Sequence, residues 1–259
     1  AKDSWRVRDQ FKFLDEMNHA TDTQIKTLAF VYEDGGWGKA MKDQWVKLAG
    51  DYGYKVILSE PYASTSSDLT LSAMKIKNAR PDVILMASFT PDAILLTNAM
   101  AQMKVGAKAI MATGGGHASQ AFIKGTVKNC ENIFDVSPWE PDINRPGIAA
   151  LSAEFKKRYT FDLTAESVDA FVSVYVIADA LERAQSADPK EIRDALADTD
   201  LCRGKGNAGI DVASYNCVKF DKTGQNKNAL FVVVQFRDIN GSMERVTVWP
   251  SDVARKDFK

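Results

Sequence analysis

Short apolar runs typical of buried strands alternate with helical patterns through residues 27–139. The first pair is the run 27–32, TLAFVY, followed by a helical pattern over 38–52. The later predicted strands are 54–62, 81–88, 108–113 and 131–139, and the later predicted helices are 69–79, 91–103 and 120–127. Strands and helices that alternate at these lengths form βαβ units, so we expect an α/β fold in which a parallel sheet is flanked by helices.

The pattern changes after Trp139, where a loop rich in Pro, Asp and Asn begins. Three helical patterns follow, over 147–160, 164–185 and 189–198. The middle one is apolar over more than one face, which predicts a buried helix. Strand and turn patterns come last, over 209–221, 229–238 and 243–250, with a hairpin turn at Asn240-Gly241. Three successive helices without strands of their own need a sheet to pack on, which we expect another segment to supply.

Charge and composition exclude several classes of protein. The chain has 259 residues and a net charge of −1, with 33 basic and 34 acidic residues. This balance gives no electrostatic footprint for nucleic acid or for an anionic membrane. No apolar run approaches the roughly 20 residues that span a bilayer, and the opening AKDSWRVRDQ contains no visible signal peptide. We expect neither a cofactor nor a metal, since the chain has only two histidines and no CxxC pair.

The stretch FVYEDGGWGKAM, residues 30–41, raises the question of a nucleotide site, because glycine-rich turns after a strand often hold phosphate. A Walker loop needs a hydroxyl residue after the lysine, and Ala40 follows Lys39 here. A dinucleotide fingerprint needs a third glycine where Met41 stands, and Trp37 would block the approach of a pyrophosphate. Nucleotide binding is therefore disfavoured.

Three strand-to-helix turns are expected at the carboxyl edge of the sheet, where open α/β sheets bind ligands. We predict that they form a small-molecule pocket from eight residues: Asp34, Trp37, Phe89, Thr90, Thr113, Gly115, Gly116 and His117. The alternatives are that Trp37 packs on its own helix, that Phe89 is core and that Thr113 caps a helix. The glycines form either a loose turn or a set of amides that binds an anion. No nucleophile or acidic partner accompanies His117, so we expect no catalysis.

The three cysteines are Cys130, Cys202 and Cys217. Cys202 and Cys217 lie 15 positions apart in a region of strand and turn character, a spacing that permits a disulfide. The alternative is two unpaired buried thiols. We predict that this pair is bonded and that Cys130 is a free, buried thiol.

The segments TLAFVYEDGGWGKAM, KIKNARPDVIL and the strand ending SPW, together with the opening WRV, resemble the leucine/isoleucine/valine-binding proteins. These are type I periplasmic solute receptors of ABC importers. The resemblance implies two α/β lobes with a solute held in the cleft between them. It assigns residues 5–136 and 230–250 to lobe two, and 140–228 to the C-terminal part of lobe one. One lobe would then be complete and the other partial, because the N-terminal part of lobe one would precede this chain. We therefore expect the chain alone to be unstable or to associate.

The same resemblance gives roles to the turn residues. Trp37 matches the aromatic residue of the first turn in lobe two, and Phe89-Thr90 match the aromatic pair of the second. Gly114 to Gly116 stand where amino-acid binders carry a carboxylate for the ligand ammonium. We therefore expect a periplasmic receptor that binds a small organic acid, or an amino-acid-like ligand, and docks on a membrane permease. The alternatives are a sensor domain of the same fold and a flavodoxin-like enzyme.

Overall fold

A computed structural model describes residues 3–21, 23–159, 162–204 and 208–258 of the chain. These residues form two compact units. The first, which we call the sheet unit, contains residues 3–137, 233–250 and 256–258. The second, the helical unit, contains residues 138–232 and 251–255. The assignment of these parts to the two lobes of a receptor remains a prediction.

The α-helices and strands of residues 3–137 are α1 Asp3–Thr21, β1 Thr27–Glu33, α2 Gly36–Asp51, β2 Lys55–Tyr62, α3 Thr70–Ala79, β3 Val83–Ala87, α4 Thr90–Gln102, β4 Ala109–Ala112, α5 Gln120–Thr126 and β5 Phe134–Ser137. Two 3-10 helices, Gly115–Ala118 and Val127–Cys130, flank α5. Those of the remaining residues are α6 Ile148–Tyr159, α7 Ala165–Ala184, α8 Pro189–Ala197, β6 Asp200–Cys202, α9 Ala208–Asp211, β7 Cys217–Lys219, β8 Val232–Ile239 and β9 Ser242–Trp249. Residue 160, at the end of the predicted helix 147–160, lies outside the described residues.

The central sheet has the strand order β2-β1-β3-β4-β5-β8-β9. Strands β1 to β5 pair in parallel, and β8 and β9 form an antiparallel hairpin. Strand β3 is buried throughout and β1 almost throughout, as expected for central strands covered on both faces. The predicted parallel sheet flanked by helices is confirmed, and the predicted hairpin turn lies at Asn240-Gly241 between Ile239 and Ser242.

Helix α1 was not predicted from the sequence. Its side chains Val7, Phe11, Leu14 and Met17 are buried, and their spacing of four, three and three residues is that of one helix face. The ring of Phe11 packs 5.6 Å from that of Tyr52 at the end of α2. Polar residues between these positions lower the mean hydropathy of the segment, which hid the helical period.

The predicted strand 209–221 was wrong over most of its length. The chain instead forms the short helix α9 and then the three-residue strand β7, which pairs with β6. Side chains hold the intervening segment in an irregular path: Trp139 Nε1 donates to the carbonyl oxygen of Val212 at 2.8 Å, and Ser214 Oγ donates to that of Pro138 at 2.8 Å. These distant partners override the local strand pattern.

None of the helices in the described residues is both long enough and apolar enough to cross a membrane.

Candidate functional site

Three strand-to-helix turns lie together at the carboxyl edge of β1, β3 and β4. The ring centroids of Trp37 and Phe89 are 5.4 Å apart, which joins the first turn to the second. The N–H of Gly116 donates to the carbonyl oxygen of Ser88 at 2.9 Å, which joins the second to the third. We call this surface, formed by residues 34–37, 88–90 and 113–117, the turn face.

The most exposed apolar group of the turn face is an aromatic pair. Phe89 is 47% exposed, Trp37 is half-buried, and their rings are inclined by 37°. Phe89 is therefore not a core residue, which removes one of the alternatives left open by the sequence. Two adjoining aromatic rings with exposed area suit a planar or apolar ligand body.

The glycines of the third turn are required by close packing. Gly115 has φ +62°, and a Cβ built on it would lie 2.7 Å from the Trp37 ring. A Cβ on Gly116 would lie 2.2 Å from the carbonyl carbon of Phe89. Any side chain at these positions would push the turns apart. The glycine run is thus closely packed against Trp37 and the Phe89 backbone, and it is not a loose turn.

The same turn has less capacity for an anion than the sequence suggested. The N–H of Gly114 donates to Asp135 Oδ1 at 2.6 Å, and that of Gly116 is bonded to Ser88. Of the three glycines, Gly115 is the one whose N–H has no hydrogen-bond acceptor among the described residues. The hypothesis that several glycine amides together hold an anion is therefore reduced to one amide.

Two amides of the first turn are occupied by an acidic residue that could not be identified from the sequence. Glu33, the last residue of β1, is 3% exposed, and its carboxylate accepts from the N–H of Gly38 at 2.5 Å and that of Gly35 at 2.6 Å. These are two of the amides around the start of α2, where an anion would otherwise bind, and the carboxylate itself repels an anion there. A single acid at a strand end gives no sequence pattern that distinguishes this role from a surface position.

Asp34 and Thr90 both lie at the surface of the turn face. The side chain of Asp34 is exposed, and its backbone N–H donates to the carbonyl oxygen of Tyr62 at 2.8 Å. Thr90 is half-buried, and its hydroxyl lies 3.3 Å from Ser119 Oγ. Asp34 is thus the carboxylate of this face that a ligand could approach.

Thr113 and His117, which were expected to face the ligand, require correction. Neither has any exposed surface. The Thr113 hydroxyl donates to the carbonyl oxygen of Met86 at 3.0 Å, and the His117 ring packs 4.7 Å from that of Phe122. Burial lowers the pKa of His117 to about 4, so the imidazole is neutral near pH 7. We therefore leave these two side chains out of the proposed ligand contacts.

Two arginines from distant parts of the chain bond the backbone on either side of the glycine run. Arg6 Nη1 donates to the carbonyl oxygen of Thr113 at 2.7 Å. Arg245 Nη1 donates to that of His117 at 3.0 Å and to Asp135 Oδ2 at 2.8 Å. The sequence separations exceed 100 residues, so no local pattern could have predicted these contacts.

The comparison with known proteins decides the family. The sequence model described as "Periplasmic binding protein" matches residues 14–234 of the chain. This chain belongs to the periplasmic binding protein family.

Curated relatives of this periplasmic binding protein include two from Brucella melitensis. The Leu/Ile/Val-binding protein homolog 7 is 25% identical over 243 residues, and homolog 8 is 24% identical over 245 residues. Each match covers 92% of this chain and 58% of the relative. The chain therefore spans less than two thirds of the length of these relatives.

Solved structures share the fold. A protein assigned to branched-chain amino acid ABC transport from Silicibacter pomeroyi has a TM-score of 0.84 at 18% identity, covering 99% of this chain and 67% of that one. A leucine-binding protein from Thermotoga maritima has a TM-score of 0.68 at 18% identity, covering 92% and 65%. A fatty acid ABC transporter substrate-binding protein from Thermomonospora curvata has a TM-score of 0.67 at 16% identity, covering 99% and 63%.

The cysteines of this periplasmic binding protein lie away from the turn face in sequence. Cys202 and Cys217 are opposite each other on β6 and β7 and form a disulfide with an S–S distance of 2.12 Å. Cys130 is a free buried thiol, and burial raises its pKa. The disulfide therefore cross-links a two-stranded sheet of the helical unit, whereas Cys130 packs in the core of the sheet unit.

Proposed function

We propose that this periplasmic binding protein is the extracytoplasmic solute receptor of an ABC importer, and that it binds its solute without transforming it. Family membership supports solute capture outside the cytoplasm. The relatives named for leucine, isoleucine and valine binding, and the neighbours named for ABC transport, support the importer role. In this proposal the solute-bound form is presented to a membrane permease.

The observation that carries the proposal is the aromatic pair seated on the glycine run. Trp37 and Phe89 lie 5.4 Å apart, with Gly115 in close contact beneath Trp37. We propose that the solute packs on these two rings and that Thr90, Gly115 and Gly116 line its polar end. Gly116 contributes backbone only, because its N–H is already bonded to Ser88.

We propose a small organic acid, or an amino-acid-like molecule, as the solute. The third turn has glycines where amino-acid binders carry a carboxylate, and the guanidinium of Arg6 lies against the first of them: a Cβ on Gly114 would be 2.3 Å from Arg6 Nη1. A cation at this turn favours a ligand anion over a ligand ammonium. The fold alone does not distinguish an amino acid from an organic acid as the solute, because one structural neighbour is named for leucine and another for a fatty acid.

Calorimetric titration of the full-length protein with a matched pair of solutes tests the proposal. Leucine and its deaminated counterpart, 4-methyl-2-oxopentanoate, share one carbon skeleton and differ in the ammonium group. We expect the oxo acid to bind more tightly by about tenfold, or 1.4 kcal/mol. If leucine binds tightly and the oxo acid does not, the organic-acid proposal is wrong and Asp34 becomes the first candidate partner of the ammonium. If no amino acid or carboxylate binds, the receptor function itself is contradicted.

A further inference from the structure

A buried polar cluster lies beside the second turn of the turn face. Tyr62, the last residue of β2, has its phenol oxygen 2.6 Å from Ser88 Oγ and 2.7 Å from Asp92 Oδ2. Ser88 and Asp92 have no exposed surface, and Tyr62 is 6% exposed. Because a phenol has one hydrogen, it donates to one of these acceptors at a time, while the Ser88 hydroxyl can donate in turn. We call these three residues the Tyr62 cluster.

The cluster holds the backbone that carries Phe89. Asp92 Oδ2 accepts from the N–H of Phe89 at 3.2 Å, at the start of α4. The carbonyl oxygen of Ser88 accepts from the N–H of Gly116 at 2.9 Å. Two consecutive residues of the second turn are therefore tied, one to Asp92 and the other to the third turn. Tyr62 bonds Asp92 and so connects this turn to strand β2, which β1 separates from β3 in the sheet.

The surroundings of Asp92 favour its neutral form. Its Oδ1 atom is buried and has no hydrogen-bond partner among the described residues. Burial raises the pKa of Asp92, and the charge of Glu33 raises it further, while hydrogen bonds from Tyr62 and Phe89 act in the opposite direction. The titratable groups that face Asp92 are thus Tyr62 from β2 and Glu33 from β1. An ionised Asp92 would be a buried charge with no cation beside it in this set.

We propose that Tyr62 and Asp92 are positioning residues of the turn face, which fix the backbone of Phe89 and so the aromatic pair without touching the solute. This inference rests on the proposed function. Asp92 Oδ2 is the acceptor that holds the Phe89 N–H, and the Tyr62 hydroxyl holds Asp92 in place. Loss of either side chain therefore loosens the second turn and weakens solute binding.

Two variants of the full-length protein test the positioning role. Tyr62→Phe removes the hydroxyl that links the strand to the turn. Tyr54→Phe is the matched control, because Tyr54 is also buried and its hydroxyl has no hydrogen-bond partner among the described residues. Hydrogen exchange followed by mass spectrometry should show the amides of residues 88–92 exchanging roughly tenfold faster in Tyr62→Phe, as expected for the loss of one buried hydrogen bond. Tyr54→Phe should leave them unchanged.

A conservative variant tests the role of the Asp92 oxygen. Affinity for 4-methyl-2-oxopentanoate and for leucine is titrated in the wild-type protein, in Asp92→Ala and in Asp92→Asn. The alanine removes the acceptor of the Phe89 N–H, whereas the asparagine keeps an oxygen acceptor. We expect the affinity for the tighter solute to fall about tenfold in Asp92→Ala, as for the loss of one buried hydrogen bond, and to be restored in Asp92→Asn.

The outcomes separate this inference from the proposed function. Unchanged exchange at residues 88–92 in Tyr62→Phe overturns the positioning role. An affinity of Asp92→Ala equal to that of the wild type, or an affinity of Asp92→Asn as low as that of Asp92→Ala, overturns the acceptor role of Asp92. If the wild-type protein binds neither solute, the proposed solute class fails. The exchange measurement then still decides whether Tyr62 holds the turn.

Discussion

Helix α4 of the sheet unit and helix α7 of the helical unit differ in how much apolar surface they leave exposed. In the sheet unit, α4 buries Leu96 completely and Met100 to 2% exposure against a core that includes β1 and β3. In the helical unit, α7 buries one stripe, formed by Val168, Val172, Val176 and Ala180. Its other face leaves Val174 65%, Ile177 47% and Leu181 41% exposed.

Helix α8, which follows, has no buried residue at all. An apolar helix pattern therefore does not by itself mean that every apolar face of the helix is buried, since α7 buries only one stripe among the described residues. The apolar face of α4 packs on the core of the sheet unit, whereas one apolar face of α7 is left exposed in the helical unit. Large exposed apolar faces on a soluble domain drive association.

The largest expected effect is therefore on the state of association. We expect the isolated chain 1–259 to self-associate through the open face of α7. The variant Val174→Lys/Ile177→Gln/Leu181→Glu should remain monomeric in sedimentation velocity, since each buried aliphatic side chain contributes about 1.5–3 kcal/mol. Leu71→Lys, at a position 62% exposed on α3, is the control and should change nothing. A monomeric parent chain with a sharp, cooperative melt would contradict this prediction.

The second prediction compares one leucine from each unit. Leu96→Ala removes a fully buried side chain of α4 and should lower the free energy of unfolding by about 3 kcal/mol. Leu181→Ala removes a side chain that is 41% exposed on α7 and should cost less than about 1 kcal/mol. Urea denaturation of both variants at a fixed protein concentration measures the difference. Equal losses would mean that the face of α7 is as well packed as the core of the sheet unit.

The third prediction concerns acid, since the two histidines of the chain, His19 and His117, both lie in the sheet unit. The pKa of His117 is lowered to about 4, below the ordinary value of 6.5, so the unfolded state binds its proton first. Stability should fall as the pH drops from 6.5 toward 4, by on the order of 3 kcal/mol. His117→Gln should remove most of this dependence, whereas exposed His19→Gln should not. Identical pH profiles for wild type and His117→Gln would refute a neutral buried imidazole.

The smallest expected effect compares one aromatic pair from each unit. Trp37 and Phe89 form the pair of the sheet unit, and Phe171 and Tyr175, with ring centroids 5.1 Å apart, form a pair on α7. Trp37→Ala should weaken solute binding by the full-length protein by about 2 kcal/mol, as loss of an aromatic anchor does. Tyr175→Ala should leave the affinity unchanged. A larger loss for Tyr175→Ala would move the solute contacts to the helical unit.

The sequence predicts the turn face well because strand-to-helix alternation fixes where parallel strands end. It brings Trp37, Phe89 and the glycine run to one edge without any knowledge of the side-chain contacts. The buried polar partners could not be predicted in the same way. Glu33, Arg6 and Asp92 are ordinary surface residue types, and only their contacts with particular backbone groups distinguish them.

The sequence also could not show that Thr113 and His117 are buried, because their burial depends on tertiary contacts. Thr113 and His117 follow β4 in the chain and were expected at the surface of the third turn. The glycine run packs so closely against the second turn that the residues on either side of it point into the core. The path of a turn of three glycines is set by its tertiary contacts, not by local propensity.

The central claim is that solute binds on the turn face of the sheet unit. A crystal structure of the full-length protein with the tightest solute from the calorimetric titrations tests it most directly. The account predicts solute atoms in van der Waals contact with the rings of both Trp37 and Phe89, and within reach of the Gly115 backbone. Solute bound elsewhere, with the two rings uncovered and still packed only on each other, would contradict it.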